Sequence, residues 1–199
     1  MPRRALLAAM IVASLAAARP ALADCDGARA FVRGAGDRAV AVLNTAGASA
    51  ADRLAGMTKL LFDVADVPLI ARLVLGRHWR SASEAQRTAY VAAFRTYAVD
   101  SLAYRFANLG GGVSFAVLDR CTAVDERDSL LASEATIPDR PQPVRIDWRV
   151  RETEGRYILV DVALEGVSLV VTNRSEFDSV VSRQGLDALI AQIQGKNTP

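Results

Sequence analysis

The sequence predicts an α+β fold in which several helices pack on one face of a twisted antiparallel sheet. Three observations lead to this prediction. Apolar residues recur at helical spacing from Asp26 towards Asn108, the period changes to two after Gly112, and helical spacing returns after Asn173. The connections between the predicted strands are short, which favours an antiparallel meander. No internal repeat is visible, and 199 residues can bury one sizeable core.

Four helices are predicted before the sheet. Each carries either an apolar stripe at the 3.6-residue period or a local start signal, such as an N-cap residue or a capping box. In order they are Asp26–Leu43, Ala51–Phe62, a helix capped by Asp66 and ended by Gly76, and a long helix that opens with Ser83 and Gln86 and runs towards Asn108.

Alternation of period two predicts the strands. The first two lie around Val113–Val117 and from Leu130 to Ile137. The clearest strand follows, with one apolar face made by Val144, Ile146, Trp148 and Val150. The returning strand runs from Tyr157 to Leu164, and its predicted apolar face is made by Ile158, Val160, Val162 and Leu164.

Two helices are predicted after the sheet. Asn173 and Glu176 have the spacing of an N-cap and its N3 partner, for a helix that ends near Gly185. A last helix is expected from Leu186 to about Gln194.

The first 23 residues have the pattern of a secretory signal peptide. Arg3 and Arg4 precede an apolar stretch that is too short to span a bilayer, and a small-x-small site ends at Ala23. Asp24 stands where a lipobox needs a small residue, so we expect no lipid on Cys25. Residues 24–199 are then one exported domain. Loss of three leader arginines takes the formal charge from +2 to −1, and no clustered basic face indicates nucleic-acid binding.

Cys25 and Cys121 are the two cysteines of the chain. Thiols in an oxidising compartment more often pair than stay free, so we expect a disulfide that ties the first helix to the edge of the sheet. Metal binding is the alternative, but two cysteines and the distant His78 lack the short ligand spacings of a zinc site. We predict neither a metal nor a cofactor.

The sequence contains no recognisable catalytic constellation. Ser168 lies in an apolar segment without the second glycine of a nucleophile elbow. Asp161 is flanked by Val160 and Val162, and an acid buried there could act as a base. The alternative is that Asp161 lies on the less apolar face of the sheet or caps a neighbouring element.

Five segments, in order, resemble motifs of the MlaC family, the periplasmic component of a phospholipid ABC transport system, also called the toluene-tolerance auxiliary protein. Asp66–Trp79 resembles its "I-A-R-x-x-L-G-x-x-W" signature, and Ser83–Phe106 resembles the helix that follows it. The others are Asp161–Val170 ("D-V-x-v-E-G-V-S-L-v"), Asn173–Phe177 ("n-y-R-x-e-F") and Gly185–Ile190 ("G-l-d-x-L-I").

The resemblance implies a nuclear transport factor-like fold with an apolar pocket for the acyl chains of a phospholipid. It also implies a periplasmic carrier, not an enzyme, which exchanges lipid between an outer-membrane lipoprotein complex and an inner-membrane ABC transporter complex with its substrate-binding subunit, and so supports outer-membrane lipid asymmetry. The candidate lipid-binding residues are the inward-facing apolar side chains Leu73, Phe94, Tyr97, Trp148, Val160, Val162, Leu164, Val167 and Leu169.

Several alternatives stay open. Each candidate residue can equally belong to a plain core, since apolar stripes normally serve packing. The segment Tyr157–Asp161 lacks the tryptophan of the family pattern, which leaves a hopanoid or another apolar ligand as an alternative cargo. An isomerase or hydrolase using Asp161 and a structural partner with a closed core are further alternatives. The strand face that carries Arg145, Arg149 and Arg151 could dock a partner or meet a head group.

Overall fold

A computed structural model of the chain describes residues 24–106, 109, 111–138 and 140–195. The predicted signal peptide, and the end of the long helix at Asn108, lie outside these residues. In chain order the elements are α1 (Cys25–Leu43), α2 (Ala50–Val64), α3 (Val67–Leu75), α4 (His78–Ser81), α5 (Glu84–Phe106), β1 (Ser114–Ala123), β2 (Asp128–Thr136), β3 (Val144–Thr153), β4 (Arg156–Leu164), β5 (Val167–Ser168), α6 (Leu169–Gln184) and α7 (Leu186–Gly195).

The five strands form one antiparallel sheet in the order β1-β2-β3-β4-β5. Each strand lies beside its neighbour in sequence, as short connections require. Glu154 and Gly155, between β3 and β4, both have positive φ, as in the hairpin turns that match the strand twist. Helix α1 crosses the sheet on one face and contacts four strands. The predicted α+β fold is therefore confirmed.

The starts of the longer helices follow their local signals. The Asp66 carboxylate accepts a hydrogen bond from the Leu69 N–H at 2.9 Å, and α3 ends at Gly76, where φ is +58°. The Ser83 hydroxyl and the Gln86 side chain accept each other's backbone N–H bonds at the start of α5. These caps satisfy N–H groups that have no partner within the helix.

Strand β4 departs from the predicted alternation because it contains a β-bulge. Arg149 lies opposite Asp161, but Val150 lies opposite Leu159, so Val160 is an extra residue. Two residues of one strand facing one of the other shift every earlier side chain to the opposite face. Leu159 therefore shares the inner face with Val162, and the prediction that Ile158 lies on this face is wrong.

Helix α6 begins five residues earlier than the sequence predicts. The Ser168 hydroxyl accepts a hydrogen bond from the Val171 N–H at 3.0 Å, and the Asp161 carboxylate accepts one from the Val170 N–H at 3.1 Å. Asn173 lies inside the helix, where its amide donates to the Leu169 carbonyl at 2.8 Å. The prediction of an N-cap at Asn173 is wrong because β4 supplies a cap that the local sequence does not reveal.

The apolar core has two parts. The larger lies among α1, α2, α3, α5, α6, α7 and β4, and it contains the wholly buried Tyr90, whose hydroxyl donates to the Ala71 carbonyl at 3.1 Å. Burial raises the pKa of Tyr90. The smaller part lies between α1 and the sheet and is built by Ala28, Val32, Leu131 and Val150.

The start of α1 is fixed to the sheet by two links. A disulfide joins Cys25 to Cys121 in β1, with the Cα atoms 6.0 Å apart. The Asp24 carboxylate caps α1 and accepts a hydrogen bond from the Tyr157 hydroxyl at 2.6 Å. That bond, with the N–H of Asp26, lowers the pKa of Asp24, and it raises the pKa of Tyr157 to about 12.

Candidate functional site

The larger core encloses an apolar cavity of about 140 Å³. Helices α2, α3, α5 and α6 and strand β4 surround it. Its lining is aliphatic and aromatic apart from four side chains with polar atoms. The lining residues are Leu61, Val67, Ile70, Val74, Phe94, Tyr97, Ala98, Ser101, Leu159, Asp161, Val162, Leu169, Val170 and Asn173.

Helical periodicity places the lining side chains. On α3, the residues at spacing i, i+3 and i+7 face the cavity, namely Val67, Ile70 and Val74. On α5, the stripe from Phe94 to Ser101 does the same. Residues at these spacings lie above one another on one helix face. The β-bulge adds Leu159 to the wall, because it turns this residue inward.

Two polar groups in the cavity wall connect elements. The Tyr97 hydroxyl donates to the Asn173 side-chain oxygen at 2.6 Å and so joins α5 to α6. The Asp161 carboxylate accepts hydrogen bonds from the Ser168 hydroxyl and from the Val170 N–H. Both carboxylate oxygens of Asp161 are therefore used at the start of α6, so its observed role is that of a helix cap.

Four of the nine candidate residues line the cavity: Phe94, Tyr97, Val162 and Leu169. Trp148 lies elsewhere, packed edge-to-face on Phe115 with its ring nitrogen donating to Ser133. Val160 is wholly buried without lining the cavity, while Leu73 and Leu164 are half-buried outside it.

Val167 is not inward-facing, as its side chain is 59% exposed. It lies in the two-residue strand β5 at the edge of the sheet. Sequence reasoning also missed several lining residues, notably Ile70, Ala98 and Asn173. Ile70 and Ala98 share helix faces with predicted residues, so their spacing was an available signal.

The predicted arginine face contains ion pairs. Arg149 and Arg151 both contact the carboxylate of Asp128, which is wholly buried, with Nε–oxygen distances of 2.7 and 2.6 Å. Burial acts to raise the pKa of Asp128, but the hydrogen bonds from the two guanidinium groups outweigh it, and the pKa lies below its ordinary value. Arg145 is paired with Asp147 at 2.8 Å.

His78 of α4 contacts a carboxylate of α6. Its Nε2 atom lies 2.7 Å from Asp178 in α6, which Arg77 also contacts at 2.9 Å. The hydrogen bond from His78, with the charge of Arg77, lowers the pKa of Asp178. Within the described ranges, no cluster of His, Cys, Asp and Glu side chains has the arrangement of a metal site. No described helix combines the length and apolar character needed to cross a membrane.

Comparison with known proteins identifies the family of this chain. Residues 34–195 match the family model described as "MlaC protein". The chain belongs to the MlaC family. Its fold resembles the solved structure of a phospholipid-binding protein from Ralstonia solanacearum in complex with a phospholipid, with a TM-score of 0.73 and 23% sequence identity. That match covers 85% of this chain and 96% of the other.

The MlaC match includes every element that builds the cavity, since α2 through α7 all lie within it. It begins inside α1, and Cys25 precedes it. The disulfide therefore joins one residue before the MlaC match to one within it.

Proposed function

We propose that this protein is a periplasmic carrier that binds a phospholipid by placing acyl chain in the apolar cavity. The observation that carries the proposal is the cavity itself, which lies between four helices and one strand and is lined mainly by hydrocarbon. Membership of the MlaC family and the fold shared with a phospholipid-bound protein support the choice of ligand.

The physical chemistry of the cavity suits a carrier. Burial of an acyl chain contributes about 0.8 kcal/mol per methylene group, so a lipid can be held strongly without a covalent bond. Pockets that enclose drug-sized molecules have volumes of about 300–1,000 Å³. The cavity of about 140 Å³ is smaller than such a pocket, so we expect it to widen when it takes up acyl chain.

The test is lipid retention in a matched pair of variants. Ile70 and Leu73 are half-buried aliphatic residues of α3, but only Ile70 lines the cavity. We expect wild-type protein, purified without detergent, to release a diacyl phospholipid on organic extraction, as read by mass spectrometry. Ile70→Asp should lose this lipid because a carboxylate in the cavity opposes burial of hydrocarbon. Leu73→Asp is the control, and its lipid content should stay near the wild-type value.

Two results would count against the proposal. Wild-type protein that extracts without lipid, from its native compartment, contradicts lipid carriage. Equal loss from both folded variants contradicts the assignment to this cavity. A hopanoid in the extract would keep the cavity as the binding site and replace the phospholipid as cargo.

The route of the lipid belongs to the same proposal. We infer export through the predicted signal peptide, followed by exchange of phospholipid between an outer-membrane lipoprotein complex and an inner-membrane ABC transporter complex. Intact-mass measurement of the native protein should give a chain that begins at Asp24 with no lipid on Cys25. A retained leader, or the added mass of a diacylglyceryl group, would contradict this.

A further inference from the structure

The outer face of the sheet forms a second concavity, which we call the sheet cup and which Val171 of α6 also lines. It has a volume of about 460 Å³. Its floor follows from strand register, since Ala132 lies opposite Asp147 and Asp147 lies opposite Ala163. Ala163 is half-buried, whereas Ala132 is covered by its neighbours and is only 3% exposed. Leu130 and Val171 stand among those neighbours.

Exposed apolar side chains are concentrated at the sheet cup. Among the described residues, four large hydrophobic side chains are exposed by more than a third. Three of them line the cup, namely Val124, Leu130 and Val171, at 46%, 41% and 61% exposure. Scattered apolar exposure is ordinary, but a group of such side chains within one concavity is typical of an interaction surface.

The polar groups around the sheet cup have spare hydrogen-bond donors. Arg145 uses Nε and one terminal nitrogen on Asp147, and Arg149 uses the same two groups on Asp128. The other terminal nitrogen of each side chain has no partner among the described residues. Arg120 has no ion pair or hydrogen bond within the part of the chain that the structure describes. An arginine side chain offers five N–H donors and no acceptor.

The acids of the sheet cup are already engaged. Asp147 accepts three hydrogen bonds from Arg145, and Asp161 accepts from Ser168 and Val170. The free hydrogen-bond donors of this surface therefore belong to its arginines, although the charges of Glu134 and Glu165 act on Arg145 and Asp125 lies 4.0 Å from Arg149. A purely hydrocarbon ligand would desolvate these charges without replacing their bonds to water. A second copy of the chain that used the same patch would bring the same arginines to both sides of the contact.

We propose that the sheet cup docks a segment of a partner protein that presents an apolar side chain between two carboxylates. The apolar side chain packs against the exposed Val124, Leu130 and Val171, and the carboxylates accept from Arg120 and from the free nitrogens of Arg145 and Arg149. This inference does not depend on lipid in the inner cavity, because the linings of the two concavities share Asp161 alone.

The test uses two fluorescent peptides that differ only in charge. One carries repeated Glu-Leu-Glu triplets, and the other carries Lys-Leu-Lys triplets. Fluorescence anisotropy with the protein at physiological salt should show binding of the acidic peptide alone. Arg120→Glu should weaken that binding by about tenfold, because charge reversal replaces an attraction with a repulsion. Val171→Ser should weaken it by about fivefold through lost apolar contact.

Matched controls make the result specific. Arg33 is an exposed arginine of α1, and Val167 is as exposed as Val171, but neither lines the sheet cup. Arg33→Glu and Val167→Ser should bind the acidic peptide like the wild type, and near-ultraviolet circular dichroism should be unchanged in all four variants.

Five outcomes would overturn the proposal. The first four are equal binding of both peptides, equal loss in the control variants, binding of phosphatidylglycerol vesicles that Arg120→Glu abolishes, and a concentration-dependent dimer that Arg120→Glu dissociates. The last two would assign the surface to membrane or to a second copy. Absence of acidic-peptide binding at millimolar concentration would also overturn it.

Discussion

Asp128 shows how one residue can hold two strands in register. It is the first residue of β2, and its carboxylate is wholly buried beneath the guanidinium groups of Arg149 and Arg151 from β3. A buried charge is costly unless hydrogen bonds and opposite charges replace the water that it loses. Any shift in register would separate this carboxylate from its two partners, so the group disfavours misaligned strands.

Asp128→Asn should destabilise the protein at pH 7. We expect a loss of about 2–3 kcal/mol, below the range for wholly buried pairs, since two partly exposed arginines can recover some hydration. Urea denaturation followed by circular dichroism measures the change. Asp119→Asn, at an exposed acid paired only at 3.6 Å with Arg29, is the control and should change the free energy of unfolding by less than about 0.5 kcal/mol.

The same carboxylate makes part of the stability depend on pH. The folded pKa of Asp128 lies below its ordinary value, and an unfolded aspartate titrates near pH ~3.9. Its contribution is therefore complete above the unfolded pKa and is lost as pH falls through the folded pKa. The stability gap between wild type and Asp128→Asn should narrow below about pH 4. A gap that stays constant from pH 7 to 3 would contradict this account.

At the scale of elements, the start of α6 can be tested by comparing two variants, Ser168→Ala and Glu176→Ala. Ser168→Ala removes the hydroxyl that caps the Val171 N–H and binds Asp161, so we expect a loss of about 1 kcal/mol. Glu176→Ala should be nearly neutral, because Glu176 is exposed inside the helix and not at N3 of a capping box. Urea denaturation of both variants checks the prediction. The opposite ranking would restore a start at Asn173.

The difference between α3 and α6 explains which elements the sequence can predict. Asp66 and Gly76 act within one turn of the helix ends that they specify, so their effect is readable from neighbours in sequence. Ser168 caps α6 together with Asp161, which β4 supplies across a turn. The bulge at Val160 likewise depends on how β4 pairs with β3. Contacts between elements leave no periodic signature in the chain.

The lining of the cavity was predictable only where it follows the period of a single helix or strand. Periodicity identifies the apolar faces of α5 and β4, and Phe94, Tyr97 and Val162 from those faces do line the cavity. It does not distinguish a side chain beside a cavity from one packed against a neighbour. Trp148 illustrates this, since its predicted inward direction leads it to Phe115 and Ser133 and not to the cavity.

For the whole molecule, the disulfide should be a major source of stability. Its two cysteines are 96 residues apart in sequence, and closing a loop of that length restricts the unfolded chain by about 4–5 kcal/mol in the chain-entropy model. The double variant Cys25→Ser with Cys121→Ser should unfold at a correspondingly lower urea concentration. Reducing agent should lower the midpoint of the wild type and leave that of the variant unchanged.

Alkylation provides the complementary check. Unreduced, denatured wild-type protein should take up no alkylating reagent at either cysteine. Two modified thiols, or dimers that disappear on reduction, would show that the link between α1 and β1 does not form within one chain.

The division of the core into two parts predicts that the protein opens in part without unfolding globally. The small core, the disulfide and the Asp24–Tyr157 bond all belong to α1 and the sheet, whereas no residue of α1, β1, β2 or β3 lines the cavity. We therefore expect α3, α5 and α6 to separate from β4 in a partial opening that costs less free energy than global unfolding. Amide hydrogens of α3, α5 and α6 then exchange with solvent through a state in which α1 and β1 remain protected. A bound ligand stabilises only the closed form, so it slows exchange in these three helices and leaves the rate in the disulfide-linked unit unchanged.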